Sequence, residues 1–169
     1  MSHVIAVLVE NKPGVLARIS SMFARRGFNI HSLTVGPTAD PALSRMTVVV
    51  DGPEMEQIIK QLYKLVHTVK VTELAVEDRI EREIMMVRVA SDPGRRHEVL
   101  AAAEIFEAAP VDVGVSTITF ELSGRPARLA DFLELMRPYG IVDLVKSGRI
   151  AMAKDSKSKD AGRTGLRSA

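Results

Sequence analysis

Two asparagines and a glycine near the start of the chain form its most chemically suggestive pattern. Asn11 and Gly14 lie in residues 10–16, a segment that follows an apolar run and is typical of a strand end, a tight turn and a helix start. Asn29 lies in residues 26–30, one helix length later, where a glycine C-cap leads into the next strand. Both segments are therefore predicted to lie at one corner of a small fold.

Such a corner offers both halves of an amino-acid site. A helix N-terminus presents unpaired N–H groups and the positive end of the helix dipole, which suit a small carboxylate. The side-chain carbonyls of Asn11 and Asn29 can accept hydrogen bonds from an ammonium group. We therefore predict a zwitterion site in which both carboxamides face the same corner. The spacing alone leaves open that these residues serve only turn geometry.

The amino-acid composition limits the classes of protein to which this chain can belong. A hydrophobic content of 46% in 169 residues supports real cores and excludes a disordered chain. Two units of about 75 residues would each be marginally stable and would gain from a partner. The sequence has no cysteine, which removes disulfides and thiol chemistry and fits a reducing, cytoplasmic location.

Charge and hydropathy argue against nucleic-acid and membrane partners. Residues 154–169 carry a formal charge of +3, so the net charge of +2 leaves about −1 for residues 1–153. The folded part therefore has no basic field for nucleic acid, and the tail is predicted to be disordered. The apolar run 4–9 is too short to span a membrane and is predicted to be a buried strand.

Hydrophobic periodicity predicts the same element order twice. The first half indicates strands near 3–10, 28–36, 43–51 and 69–76. It also indicates a helix over 14–26, with Leu16, Ile19, Met22 and Phe23 on its apolar face, and a second helix with apolar positions from Ile58 to Val66. The second half indicates strands at 84–90, 111–115, 117–122 and within 141–153, and helices at 95–108 and 126–137.

This order predicts an α+β fold of two tandem ferredoxin-like βαββαβ sandwiches. We place the domains at 1–78 and 79–153, followed by the tail 154–169. The charged segment 77–83 is interpreted as a solvated joint. A faint repeat at an offset of eighty residues aligns Pro13-Gly14 with Pro93-Gly94 and puts Ser91 in the place of Asn11, although coincidence remains open. If the repeat is real, only the first unit binds ligand.

Other site chemistries find little support, and no catalytic or metal-binding residue is predicted. The four histidines are scattered, and no serine elbow, P-loop or dinucleotide turn is present. An RNA-binding sheet needs stacking aromatics, which residues 43–51 lack. A free-standing acylphosphatase-like enzyme remains an alternative, but its phosphate-gripping arginine would be replaced by Lys12.

Several motifs resemble a known family. An Asn-x-x-Gly-x-Leu turn at residues 11–16 and Gly-x-Asn-Ile at residues 27–30 resemble the ACT domain, a small amino-acid-binding regulatory module. Residues 29–35, the turn and strand 37–47 (with Ser44-Arg45-Met46-Thr47), residues 60–65 and residues 81–85 resemble the regulatory small subunit of acetohydroxyacid (acetolactate) synthase. The resemblance covers roughly residues 2–153, with the first unit as the ACT domain.

The resemblance implies a regulatory subunit without an active site of its own. It implies a homodimer that activates a separate catalytic large subunit and makes it sensitive to feedback inhibition by valine, or by leucine or isoleucine, bound between two ACT domains. Thiamine diphosphate, magnesium and FAD are expected on the catalytic subunit, and no cofactor on this chain. The effector-binding residues it implies are Asn11, Gly14, Val15, Leu16, Asn29 and Ile30. His31 departs from the acidic residue of many relatives. An ACT-type sensor of another biosynthetic enzyme is the alternative.

Overall fold

Strands and helices follow one another along the chain in two units, each of which is an antiparallel sheet with two helices. The structure, a computed structural model, describes residues 2–52 and 55–155. One unit comprises the residues up to Glu81 together with the segment from Arg149, and the other comprises Arg82–Gly148. The predicted α+β class and the two βαββαβ-like units are confirmed.

The first unit has its four strands in the order β2-β3-β1-β4. Its elements are β1 (Ser2–Glu10), α1 (Val15–Arg25), β2 (Ile30–Pro37), β3 (Leu43–Asp51), α2 (Met55–Tyr63) and β4 (Thr68–Glu73). Both helices pack on one face of the sheet through a core of valine, isoleucine, methionine, leucine and one phenylalanine, Phe23. Pro53 and Glu54, predicted to lead into α2, lie outside the described residues.

The second unit has the strand order β6-β7-β5-β8. Its elements are β5 (Arg79–Ala90), α3 (Arg96–Glu104), β6 (Ala109–Val113), β7 (Thr117–Gly124), α4 (Pro126–Met136) and β8 (Ile141–Lys146). A separate core lies between its sheet and helices, where Phe132 packs edge-on against Phe120 at a ring-centroid distance of 6.2 Å. Each unit thus buries its own apolar surface.

Helix α1 buries a slightly different face from the predicted one. Its buried residues are Val15, Ile19, Met22 and Phe23, whereas Leu16 is 42% exposed. The sequence is compatible with two apolar stripes along the helix, one through Val15 and one through Leu16. Each of these residues is three or four, or seven or eight, positions from Ile19 and Phe23, so each shares a helix face with them. The stripe through Val15 faces the sheet, so the predicted apolar face, which contained Leu16 and not Val15, differs from the buried one at the first turn of the helix. Val66, predicted to be in α2, lies beyond the helix and is 85% exposed.

The segment 77–83 is not a solvated joint. A 3-10 turn over Val76–Asp78 is followed directly by β5. The Arg79 side chain is only 7% exposed, and its Nε donates to Glu81 Oε2 at 2.9 Å while Nη1 donates to the Leu74 carbonyl at 2.8 Å. From Arg79 onwards, the charged residues of this segment therefore lie on a strand, where those on one face are paired with other groups. The number of charges in a sequence cannot distinguish such a strand from an exposed linker.

The chain re-enters the first unit after β8. A short strand β9 (Ile150–Ala153) pairs with β5, and Ala151 is buried with Val4 and Val49 on the face of the sheet opposite the helices. Residues 149–153, which we had placed in the second domain, thus group with the first unit. Lys154 also takes part in the fold, because its N–H donates to the Asp78 carbonyl at 2.8 Å. Residues 156–169 of the predicted tail lie outside the described residues.

Candidate functional site

The turn between β1 and α1 has the geometry that its sequence dictates. Val15 N–H contacts the Lys12 carbonyl at 3.4 Å, which closes a four-residue turn with Pro13 and Gly14 at its centre. Gly14 has φ 82° and ψ −7° and is the N-cap of α1. These angles are those of the third position of a type II turn, which glycine adopts without steric strain. Proline and glycine together therefore fix the entry to the helix.

The turn leaves backbone donors free at the start of α1. No side chain caps the helix, and its first backbone hydrogen bond runs from Arg18 N–H to the Gly14 carbonyl. Within residues 2–52 and 55–155, the N–H groups of Gly14 and Leu16 have no backbone acceptor. Val15 is among the effector-binding residues that the resemblance implies, but its N–H already points towards the Lys12 carbonyl. Gly14 and Leu16 are thus the better donors for an anion.

Asn11 is held at this turn by the loop between β2 and β3. Its backbone N–H donates to the Ala42 carbonyl at 2.7 Å, and its side-chain Nδ2 donates to the Pro41 carbonyl at 3.1 Å. A carbonyl only accepts hydrogen bonds, so the amide nitrogen must face Pro41. The carboxamide oxygen is thereby left as an acceptor on an exposed residue, as binding of an ammonium group requires.

Asn29 does not share this corner within one chain. Glu10 is opposite Leu43, whereas Ile30 is opposite Val50, at the other end of β3. These two positions on β3 are seven residues apart, which corresponds to about 23 Å of strand. The expectation that both carboxamides face one corner of a single chain was therefore wrong. The reason is topological, because β3 lies between β1 and β2 and runs antiparallel to both.

The three apolar residues expected to bind the effector differ in how accessible their side chains are. Val15 is buried in the core, and Ile30 is half-buried against it. Leu16 projects from the first turn of α1 and is largely exposed. Leu16 is thus the side chain beside the free amides that can contact a ligand without unpacking the core.

A charged cluster that the sequence analysis missed lies next to Asn11. Glu10 Oε2 is 2.6 Å from Lys12 Nζ and 3.0 Å from His67 Nδ1. The hydrogen bond from Lys12, followed by that from His67, lowers the pKa of the Glu10 carboxyl below its ordinary value of 4.5. Glu10 and Lys12 were visible in the turn segment, but His67 is 57 residues away in sequence from Glu10, and no local pattern indicates that contact.

Replacing Lys12 with methionine should raise the pKa of Glu10, because the strongest stabiliser of its carboxylate is removed. A depressed carboxyl pKa contributes stability above pH 4.5, and that contribution is lost as the pH falls through the folded-state value. Carboxyl NMR titration measures the shift directly. Lys64→Met, at an exposed lysine after α2, is the matched control. Equal titration of Glu10 in both variants would contradict the assigned role of Lys12.

The corresponding turn of the second unit has a different backbone. Arg95 N–H donates to the Asp92 carbonyl at 2.9 Å, but Gly94 is not among the described glycines with positive φ. Ser91 replaces Asn11 and is buried, with its N–H bonded to the Ser116 carbonyl. The sequence repeat therefore does not reproduce the Asn11–Gly14 arrangement.

Neither a metal site nor a membrane-spanning helix is found in the part of the chain that the structure describes. No group of three or more histidine, aspartate and glutamate side chains is placed to hold a metal ion within residues 2–52 and 55–155. In the same part of the chain, every helix is too short or too polar to cross a membrane.

Comparisons with known proteins agree with this two-unit organisation. Residues 5–70 match the AHAS small subunit-like ACT domain family, and residues 82–155 match the family described as small subunit of acetolactate synthase. The chain is 49% identical over 159 residues to a probable acetolactate synthase small subunit of Archaeoglobus fulgidus, covering 93% of this chain and 99% of that relative. The chain belongs to the acetolactate synthase small-subunit family.

Other members of the family extend the likeness in sequence and structure. The acetolactate synthase small subunit of Mycolicibacterium smegmatis is 41% identical over 165 residues, covering 96% of each chain. A crystal structure of an acetolactate synthase small subunit from Thermotoga maritima superposes with a TM-score of 0.83 at 37% identity, covering 91% of this chain and 98% of that one. The predicted membership of this ACT-domain family is confirmed.

Proposed function

We propose that this chain is the regulatory subunit of an acetolactate synthase, and that it binds valine at the start of α1 and transmits feedback inhibition to a catalytic large subunit. The observation that carries this proposal is the combination of family membership with an uncapped helix start beside an oriented asparagine. Leucine and isoleucine are the alternative effectors, because one methylene changes binding by only about 1–3 kcal/mol.

The carboxylate of valine binds the free N–H groups of Gly14 and Leu16. Each charge-assisted hydrogen bond contributes about 1.5–3 kcal/mol, and the dipole of α1 adds to the attraction. Gly14 also leaves room for the ligand, because a Cβ built at this position meets no atom within 4 Å. The branched side chain of valine packs against the exposed face of Leu16.

The second half of the site comes from a two-fold-related subunit. Strand β2 is an edge of the described sheet, and its Val35 is 50% exposed. Exposed strand edges readily pair with another chain. A two-fold axis beside β2 pairs Ile30–Pro37 antiparallel with itself, so that Ile30 of the partner subunit lies opposite Pro37.

This pairing brings together the two carboxamides that one chain separates. Asn29 of the partner subunit comes next to the turn between β2 and β3, the same turn to which Asn11 is hydrogen-bonded. The ammonium group of valine then binds both carboxamide oxygens, and Ile30 of the partner subunit adds apolar contact. Because each site spans two subunits, valine favours one dimer geometry, and coupling of this kind is typically worth about 1–3 kcal/mol.

Reconstitution with the catalytic subunit from the same organism tests the proposal. The purified chain should raise acetolactate formation by the thiamine-diphosphate-dependent catalytic subunit, and valine should inhibit the complex but not the catalytic subunit alone. The isolated chain should show no turnover. Valine binding without any association with that catalytic subunit would instead indicate an ACT-type sensor of another biosynthetic enzyme.

A further inference from the structure

The turn between β2 and β3 has an internal hydrogen-bond network that the effector site does not explain. The Asp40 carboxylate accepts the Ala42 N–H at 2.9 Å. The Asp40 carbonyl accepts the Leu43 N–H at 3.0 Å and the Thr38 hydroxyl at 2.9 Å. These bonds fix the backbone on both sides of Pro41, although residues 39–42 are exposed.

The same turn supplies both hydrogen-bond acceptors of Asn11. The carbonyls of Pro41 and Ala42 bind its side-chain and backbone N–H groups respectively. The Asp40 carboxylate holds the N–H of Ala42, and therefore the orientation of the Pro41–Ala42 peptide that carries the Pro41 carbonyl. An Asn side chain can rotate about its terminal bond unless such a partner selects one orientation.

We propose that Asp40 is a positioning residue that orients the Asn11 carboxamide, through Ala42 and Pro41, so that its oxygen faces a bound ammonium group. This inference rests on the proposed valine site and assigns a residue that does not itself touch the ligand. Without the Asp40 carboxylate, the Pro41 carbonyl loses its fixed position and Asn11 spends part of its time with its amide nitrogen towards the ligand. A nitrogen there repels an ammonium group instead of accepting from it.

Two substitutions at Asp40 distinguish its effect on the orientation of Asn11 from the effect of its negative charge. Asp40→Ala removes the acceptor for Ala42 N–H, whereas Asp40→Asn keeps a side-chain oxygen and removes only the charge. In calorimetry on the full-length dimer, Asp40→Ala should weaken valine binding by about three- to tenfold, the loss of one ordinary hydrogen bond's net contribution. Asp40→Asn should bind valine as the unmodified chain does. Equal losses in both variants would show that Asp40 acts by charge and would overturn the proposal.

A double-mutant cycle with Asn11→Ala tests the path of the effect. In a chain that already carries Asn11→Ala, Asp40→Ala should not weaken valine binding further. The effects of two substitutions are not additive when both residues act through the same group. Isovalerate, which is valine without its amino group, should bind the Asp40→Ala variant as it binds the unmodified chain. Additive losses, or an equal loss for isovalerate, would indicate general loosening of the turn and contradict the inference.

A readout without ligand keeps this inference distinct from the proposed function. The sequence has only two asparagines, so the side-chain amide signals of Asn11 are readily assigned by NMR. In the free dimer, Asp40→Ala should speed the exchange of the Asn11 amide protons with water, and Asp40→Asn should not. Unchanged exchange would overturn the positioning role even if valine binds, whereas altered exchange without valine binding would overturn the effector site alone.

Discussion

Valine affinity is expected to fall by about 100-fold when Gly14 is replaced by aspartate, since like charges brought together cost several kcal/mol. The new carboxylate projects from the N-cap of α1, beside the amides that we assign to the valine carboxylate. It both repels the ligand anion and competes for its N–H donors. Calorimetry with the full-length chain measures the effect, and the proposed feedback inhibition of the holoenzyme should disappear with it.

Gly14→Asn is the matched control for this variant. Both substituents place a side chain at a positive φ of 82°, and asparagine and aspartate tolerate this backbone better than other residues. No atom within 4 Å obstructs a Cβ there, so the two variants should unfold at similar temperatures. Aspartate should weaken valine binding much more than asparagine does. Equal binding of valine by both variants would remove Gly14 from the anion site.

Asn29→Ala should weaken inhibition of the reconstituted holoenzyme by valine at least tenfold, or about 1.4 kcal/mol, because the ammonium group loses one of its two carboxamide acceptors. The residue is exposed and lies outside the core, so the thermal stability of the chain should change little. Arg26→Ala, an exposed position in the same loop, controls for disturbance of the segment between α1 and β2. Unchanged inhibition by valine would exclude Asn29 from the site.

The fold could be predicted from the sequence because its local signals agree. The glycine at position 27 is a clear example: Gly27 N–H bonds to Ala24 and Phe28 N–H to Phe23, with φ 71° at the glycine, which is the C-terminal cap that its spacing predicted. Prolines, glycines and apolar periodicity determine such elements within a few residues. The start of β5 was missed, because Glu81 and Glu83 pair with Arg149 and Lys146, which only the folded chain brings close to them.

The candidate site was predicted less completely than the fold. Asn11, Gly14 and Leu16 lie on one turn, so their proximity follows from sequence separation alone. The position of Asn29 depends on strand order, and residue patterns do not show that β3 separates β1 from β2. The contacts of Asn11 with Pro41 and of Glu10 with His67 join segments 30 and 57 residues apart, which only tertiary structure reveals.

Subunit mixing tests the shared valine site most directly. Dimers with Asn11→Ala in one subunit and Asn29→Ala in the other can be isolated with two affinity tags and titrated with valine by calorimetry. A site that spans the two-fold axis predicts one intact site per mixed dimer, with unaltered affinity at half the normal stoichiometry. The absence of any site of normal affinity would show that both asparagines must come from the same chain, and it would contradict the shared site.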